Sequence, residues 1–284
     1  MAAGVTRSPT PKLLRWRAQS PPDGEDGPPE HGDGPPPSNA RVYDYLLGGK
    51  DNYAADRELA EWALRRCPVL QRVVQANRGF LDDAAARLAE DAGLRQFVDI
   101  GCGLPRPCGS GIGDVVRRVD PSCRIVYVDN DPLVLVHARA LLAVDDGTAA
   151  VEGDVRDPAA LLGAPGLRNV IDVSEPVGVL LGGVLDTVSD EDDPAGVVRA
   201  LAAALAPGSH IVITHTERTP ELEPIAGLPQ NPDLPFWPRD EEAINEIVAS
   251  LEMTGPYPIR LPSPSVPRAA DPLPLFACIG RVPG

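Results

Sequence analysis

The sequence predicts an α/β protein built on one doubly wound, mostly parallel sheet, with a helical N-terminal extension. Three observations predict it. The run F-V-D-I-G-C-G-L-P over 97–105 is an apolar strand ending in an acid and a Gly-x-Gly turn. The run I-V-Y-V-D over 125–129 repeats the apolar stretch closed by an acid. From residue 94 onward, short apolar runs alternate with helical patterns, as in βα units rather than hairpins.

The elements follow in order. Residues 1–37 are rich in Pro, Gly, Asp and Glu with almost no aliphatic pattern. Such a segment buries too little surface to offset its ordering entropy, so a disordered tail is expected. Residues 38–284 are expected to form one domain, with 38–93 as a helical cap and 94–284 as the sheet core. The stretch 39–53 is dense in aromatic and polar residues and broken by Gly48-Gly49. A helix is expected over 56–66, ended by Pro68. A longer one is expected over 69–91, where Val69, Val73, Phe80, Leu81, Ala84 and Leu88 make an apolar stripe. Gly93 then stands where a C′ glycine would. Strands are predicted at 96–100, 124–129, 149–152, 177–181 and 210–214, with helices at 113–119, 132–143 and 194–205 between them. The run over 177–181 is almost wholly apolar, as a strand buried on both faces should be. A Pro-rich loop over 219–238 precedes a helix over 240–251. Two last strands are expected at 257–261 and 275–281.

Composition narrows the function. The chain has 284 residues, 43% of them hydrophobic, and a formal charge of −15. So acidic a chain repels phosphate backbones, which makes nucleic acid a poor partner. Arg65, Arg66, Arg72 and Arg78 are the one basic cluster and read as a solvated helix face. No apolar window is long enough for a membrane span, and the N-terminus lacks the apolar segment of a signal peptide. The five cysteines (Cys67, Cys102, Cys108, Cys123 and Cys278) are an odd number without a disulfide framework. Reduced thiols fit a cytoplasmic protein. Cys102 and Cys108 have no second Cys or His pair nearby, so no metal site is expected.

The motifs point to a nucleotide-like ligand. Gly101 and Gly103 permit a tight turn and a close backbone approach, at the strand ends where open α/β sheets bind ligands. The third position of a dinucleotide fingerprint is Arg106, flanked by Pro105 and Pro107, which breaks the pattern needed for NAD. Asp99 would repel a pyrophosphate and attract a cation; S-adenosylmethionine carries a sulfonium and an ammonium. Asp129 can accept from both ribose hydroxyls. Asp154, after the third strand, can accept from an adenine amine, with the backbone of Val155 near the ring; taken by themselves these residues read rather as an N-cap or turn cluster. Gly182 and Gly183 end the fourth strand, and Asp186-Thr187 follow them. Asp186 and His215 are the candidate bases for a hydroxyl acceptor. His137 reads as structural, and His31 falls in the tail.

Several stretches together carry a family resemblance: A-R-V-Y-D-Y-L-L-G-G-K-D-N-Y (40–53), Q-A-N-R-G-F-L (75–81), Q-F-V-D-I-G-C-G-L-P (96–105), V-Y-V-D-N-D-P-L-V-L-V-H-A-R-A-L-L (126–142), D-D-P (192–194) and L-A-P-G-S-H (205–210). The chain resembles the bacterial S-adenosylmethionine-dependent methyltransferases long filed as a domain of unknown function. The resemblance implies the class I methyltransferase fold, a seven-stranded sheet ending in an antiparallel hairpin. It implies cofactor contacts at Gly101, Gly103, Asp129, Asn130 and Asp154, with the segment from Tyr43 to Tyr53 folding over the cofactor and Arg78 nearby. A small-molecule acceptor is expected, and the sequence does not reveal which one. Here Cys102 replaces the family's Thr, and Asp186-Thr187 stand where the family often has His-Phe. Two other readings stay open from sequence: a non-catalytic cofactor-binding module on the same fold, and an NAD(P)-dependent oxidoreductase. The oligomeric state is not legible.

Overall fold

In the computed structural model the chain is described over residues 28–29, 34–106, 109–226, 234–261 and 272–284. Most of the expected tail, including His31, lies outside the described residues, as does Cys108. Three helices open the fold: α1 (Asn39–Leu46), α2 (Ala54–Arg66) and α3 (Leu70–Glu90). The core follows as β1 (Gln96–Ile100), α4 (Ile112–Val119), β2 (Arg124–Asp129), α5 (Pro132–Leu141), β3 (Thr148–Glu152), α6 (Pro158–Gly163), α7 (Pro165–Arg168) and β4 (Gly178–Gly182). Then come α8 (Pro194–Ala204), β5 (His210–Thr216), α9 (Glu223–Ala226), α10 (Glu241–Val248), β6 (Glu252–Met253), β7 (Ile259–Arg260) and β8 (Leu275–Arg281).

The sheet runs β3-β2-β1-β4-β5-β8-β6, with β7 also on β8. The first five strands are parallel, and β8 enters antiparallel to β5. Strands β6 and β7 pair with opposite ends of β8, at 280–281 and 276–277. They therefore share one sheet position, interrupted between them, and the sheet has seven positions as expected. The strand expected over 257–261 shrinks to 259–260, and β6 was not anticipated. Their two-residue length explains this: only pairing to β8 defines them.

Side-chain alternation builds the two layers. Val98, Ile100, Val126, Val128, Val179, Leu181 and Ile213 pack with α6, α7, α8 and α10 on one face. Phe97, Ile125, Tyr127, Leu180 and Val212 pack with α3, α4 and α5 on the other. On that second face Tyr127 donates no room for side chains at the start of α4, and its hydroxyl accepts from the Gly113 amide at 3.0 Å.

Helix α1 went unassigned in the sequence because polar contacts, more than an apolar stripe, place it. Buried Arg41 pairs with fully buried Asp56 at 2.8 Å. The same carboxylate accepts from the amides of Ser38 at 3.0 Å and Tyr53 at 2.8 Å, so one acid joins the starts of α1 and α2. Across the cavity mouth, Asn39 donates from its side-chain amide to the Pro235 carbonyl at 3.0 Å. The expected helix over 240–251 stops at Val248, and the loop expected over 219–238 holds the short α9.

Candidate active site

The carboxyl ends of β1, β2 and β4 open onto a cavity of about 660 Å³ roofed by α1 and α3. It lies within the roughly 300–1,000 Å³ range of small-molecule sites. Gly101 and Gly103 both adopt left-handed backbone angles, φ 68° and 64°. The amides of Gly101 and Cys102 donate to the Val128 carbonyl at 2.8 and 3.1 Å, which closes the turn over β2. A Cβ on Gly101 would come within 2.7 Å of Val184. At Gly103 a Cβ would meet nothing within 4 Å; there the turn borders open cavity.

The sequence-selected acids gather along this rim. Asp129 accepts from the Gly103 amide at 3.0 Å and the Asp131 amide at 2.9 Å. Burial raises its pKa, and those hydrogen bonds oppose the rise. Asp99 is buried beneath the turn, and burial pushes its pKa up to about 6, against the pull of the Arg78 guanidinium. Arg78 also lines the cavity, and its buried Nε has no hydrogen-bond partner among the described residues. Asn130, Asp154 and Val155 line the far end. Asp154 is held by Arg156, whose Nε donates at 3.0 Å and whose backbone amide donates at 2.9 Å. That pairing holds the Asp154 carboxyl below its ordinary pKa. The sequence reading had not foreseen Arg156 there.

The opposite wall is organised by a second set of groups. Tyr43 donates its hydroxyl to the Val74 carbonyl at 3.1 Å and accepts from Asn77 at 2.8 Å. Asn77 in turn accepts from the Thr214 hydroxyl at 2.7 Å. Burial pushes the Tyr43 pKa up to about 12. Asp186 lies in a short 3₁₀ turn (Val184–Thr187) after β4, buried but on the cavity wall. It accepts from the Thr216 hydroxyl at 2.6 Å and the Thr216 amide at 3.1 Å, and it lies 3.0 Å from His215 Nδ1, which bonds to the Thr216 carbonyl at 2.9 Å.

His215 does not reach the cavity. Thr214 and Thr216 face the α3 side of β5, so alternation turns His215 to the other face. It is 1% exposed. Arg239 donates to its Nε2 at 2.9 Å. A guanidinium only donates, so Nε2 must be the acceptor and Nδ1 carries the proton. Burial holds this imidazole below its ordinary pKa, with Asp186 opposing. The expectation of His215 as a base thus gives way to a neutral, fully bonded histidine behind the wall. Arg239, which the sequence did not single out, is 4% exposed and also donates to the carbonyls of Leu185 at 3.1 Å and Val188 at 2.7 Å.

Residues 27–263 match the family model described as S-adenosyl methyltransferase. The chain belongs to this family. Solved structures are similar to it, among them these two. One is a candidate methyltransferase from Thermobifida fusca YX, 38% identical, with a TM-score of 0.81 over 88% of this chain and 96% of that one. The other is a DUF574 family protein from Streptomyces avermitilis MA-4680, 34% identical, with a TM-score of 0.81 over 87% of this chain and 98% of that one. Among curated proteins none matches. The chain is therefore an S-adenosylmethionine-dependent methyltransferase of the class I fold, which sets aside the nicotinamide reading. Among the described residues, no cluster of His, Cys, Asp or Glu has metal-binding geometry, and no helix is long and apolar enough to cross a membrane.

Proposed function

We propose that this methyltransferase transfers a methyl group to a small-molecule acceptor enclosed beneath α1 and α3. The observation that carries the reading is a cavity, lined by described residues, with a polar, carboxylate-lined end and an apolar end. S-adenosylmethionine, when bound, supplies an activated methyl group and its own leaving group, so the protein needs no nucleophile.

The residues present fit such a cofactor. Asp129 spends part of its hydrogen-bonding capacity on Gly103 and Asp131; a carboxylate offers about four lone-pair sites, which leaves sites for the ribose hydroxyls. The open space beside Gly103 gives a ligand close access to backbone. Asp99 provides negative charge for the cationic end. The unpartnered Nε of Arg78 suits the cofactor's carboxylate. Asp154, Asn130 and Val155 would border the adenine, with Arg156 sharing Asp154. Tyr43 would close the roof. What remains for the protein is to orient the acceptor and exclude water, which in favourable cases lowers a barrier by about 7–11 kcal/mol.

A carboxylate-lined site in so acidic a chain argues against nucleic acid as the acceptor. We also place the enzyme in a bacterial cytoplasm: both similar structures are bacterial, and Cys67, Cys102, Cys123 and Cys278 are free buried thiols. Calorimetry with S-adenosylhomocysteine tests the cofactor site. The wild-type chain should bind, and Asp129→Ala should weaken binding by about tenfold or more, the loss of a charge-assisted hydrogen bond. Unchanged affinity in that variant would overturn the assignment.

A further inference from the structure

We infer that the acceptor is a small molecule with an apolar body and no anionic group, seated against a wall that Val73, Ile225 and Phe236 share. The inference rests on the cofactor placement proposed above and deepens it by naming the substrate class.

One face of α3 runs along the cavity. Leu70, Val73, Asn77 and Leu81 all line it, at the three- and four-residue spacing of a single helix face. Leu81 covers Gly182 at the end of β4, where a Cβ would come within 2.3 Å of it. Asn77 bonds to Thr214, and Thr214 pairs with Gly182 in the sheet. This part of the helix therefore lies over the strand ends and the place given to the cofactor. Leu70 stands about two turns earlier, about 10 Å from Asn77 at 1.5 Å per residue. The walls change character there. Leu59 and Ala63 of α2, Val73 of α3, Ile225 of α9, Leu234 and Leu275 all line the cavity and belong to one hydrophobic cluster. Leu70 and Phe236, also on the lining, pack against that cluster. Members of one contact cluster touch one another, so this end of the cavity is a continuous apolar wall. Phe236 is anchored on both sides: Asn39 donates to the Pro235 carbonyl at 3.0 Å, and the Trp237 amide donates to the Asp186 carbonyl at 2.6 Å.

Polar groups beside this wall are already spent. The Tyr43 hydroxyl is bonded to Val74 and Asn77. The Thr187 hydroxyl donates to the Val184 carbonyl at 2.7 Å, and the Thr216 hydroxyl to Asp186. A polyhydroxylated acceptor would bury hydroxyls without partners, which is costly. Charge excludes an anion. The carboxylates of Asp44 and Asp186 are both on the lining. Asp44 is held by the Asp51 amide at 3.0 Å and by Asn52 at 2.8 Å, and Asp186 by Thr216. Among the described cations of the lining, Arg106 is paired with Asp82 and Arg156 with Asp154, and Arg78 is given to the cofactor's carboxylate. An anionic acceptor would meet fixed carboxylates and no free cation. An apolar-walled site takes an apolar ligand.

The test titrates 2-naphthol, 2-naphthoate and methyl β-D-glucopyranoside, at neutral pH, into the full-length chain saturated with S-adenosylhomocysteine. Naphthol should bind about tenfold or more tighter than naphthoate, and the glucoside should show no saturable binding at millimolar concentration. Phe236→Ala removes part of the wall, and Val73→Phe fills the space before it. Each should weaken naphthol binding about tenfold or more. Titration of each variant with S-adenosylhomocysteine shows whether it has folded; should one fail, the other decides, and should both fail, the wild-type series decides. Three results would overturn the inference while leaving the cofactor site intact: naphthoate or glucoside binding as tightly as naphthol, unchanged naphthol binding in a folded variant, or no saturable naphthol binding at millimolar concentration. Failure of S-adenosylhomocysteine to bind the wild-type chain would remove the reading beneath it, and that first titration tells the two failures apart.

Discussion

Replacing Asp99 by Asn should stabilise the ligand-free protein at neutral pH while weakening its hold on cofactor. Asp99 is 5% exposed, and burial moves its pKa from 3.8 to about 6, more than Arg78 can offset. Between those values the unfolded chain has released the proton and the folded chain retains it. The folded state binds more protons there, so stability falls as pH rises. The favourable contribution is complete below pH 3.8 and gone above about 6. A rise of about two units corresponds to about 3 kcal/mol at 1.36 kcal/mol per unit. Asn cannot ionise, so the variant lacks this loss. Urea denaturation of both ligand-free chains from pH 4 to pH 7 reads it out, because titrating groups not coupled to Asp99 cancel in the difference. The gap between variant and wild type should widen by about 2 kcal/mol in the variant's favour across that range. Any cost of burying the new amide is constant with pH and drops out. A flat difference would refute the reasoning, since Asp99 would then ionise as easily in the fold as in the unfolded chain.

Other outcomes follow from the same geometry. Gly101→Ala forces both a left-handed angle and a clash with Val184, and should cost about 2–4 kcal/mol by thermal denaturation. Gly103→Ala meets no atom; it should cost only about 1 kcal/mol of stability yet weaken S-adenosylhomocysteine binding by calorimetry, since the new methyl enters the space proposed for the cofactor. Arg239→Met strips the Leu185 and Val188 carbonyls and His215 of their donor, and should lower stability by about 2–4 kcal/mol in urea titration. Asp56→Ala leaves Arg41 buried without its partner; a loss of about 3–5 kcal/mol is expected, with hydrogen exchange in α1 accelerating first.

How far the sequence can be read depends on whether the determining contacts are local. Strands β1, β2 and β4 were legible because a strand buried on both faces must be an apolar run, and their ends announce the turn that borders the cavity. The candidate cofactor residues share those ends, so their convergence on one cavity follows from the sheet. Two-residue strands carry no pattern of their own. The bonds of Arg239 to Leu185 and Val188 cross about fifty positions of chain, and no spacing rule anticipates them. His215 is the instructive case. Its place at a strand end was readable, and so was its parity. The alternation of Thr214, His215 and Thr216 along β5 already put the imidazole on the face away from the cavity. Helix α1 escaped for the opposite reason: a buried ion pair fixes it, and its partner Asp56 looks in sequence like any acid opening the next helix.

The interruption between β6 and β7 also bears on self-association. A sheet edge with several unpaired amides and carbonyls in a row can template a strand from another molecule. On this flank the described outer edge offers two residues, leaves the plane through Gly255 at φ 75°, and returns for two more. A foreign strand docking there would lose its ladder after a single pair of bonds. The break thus guards the flank against cross-chain zippering, alongside the charges of Glu252 and Arg260 on the same two strands.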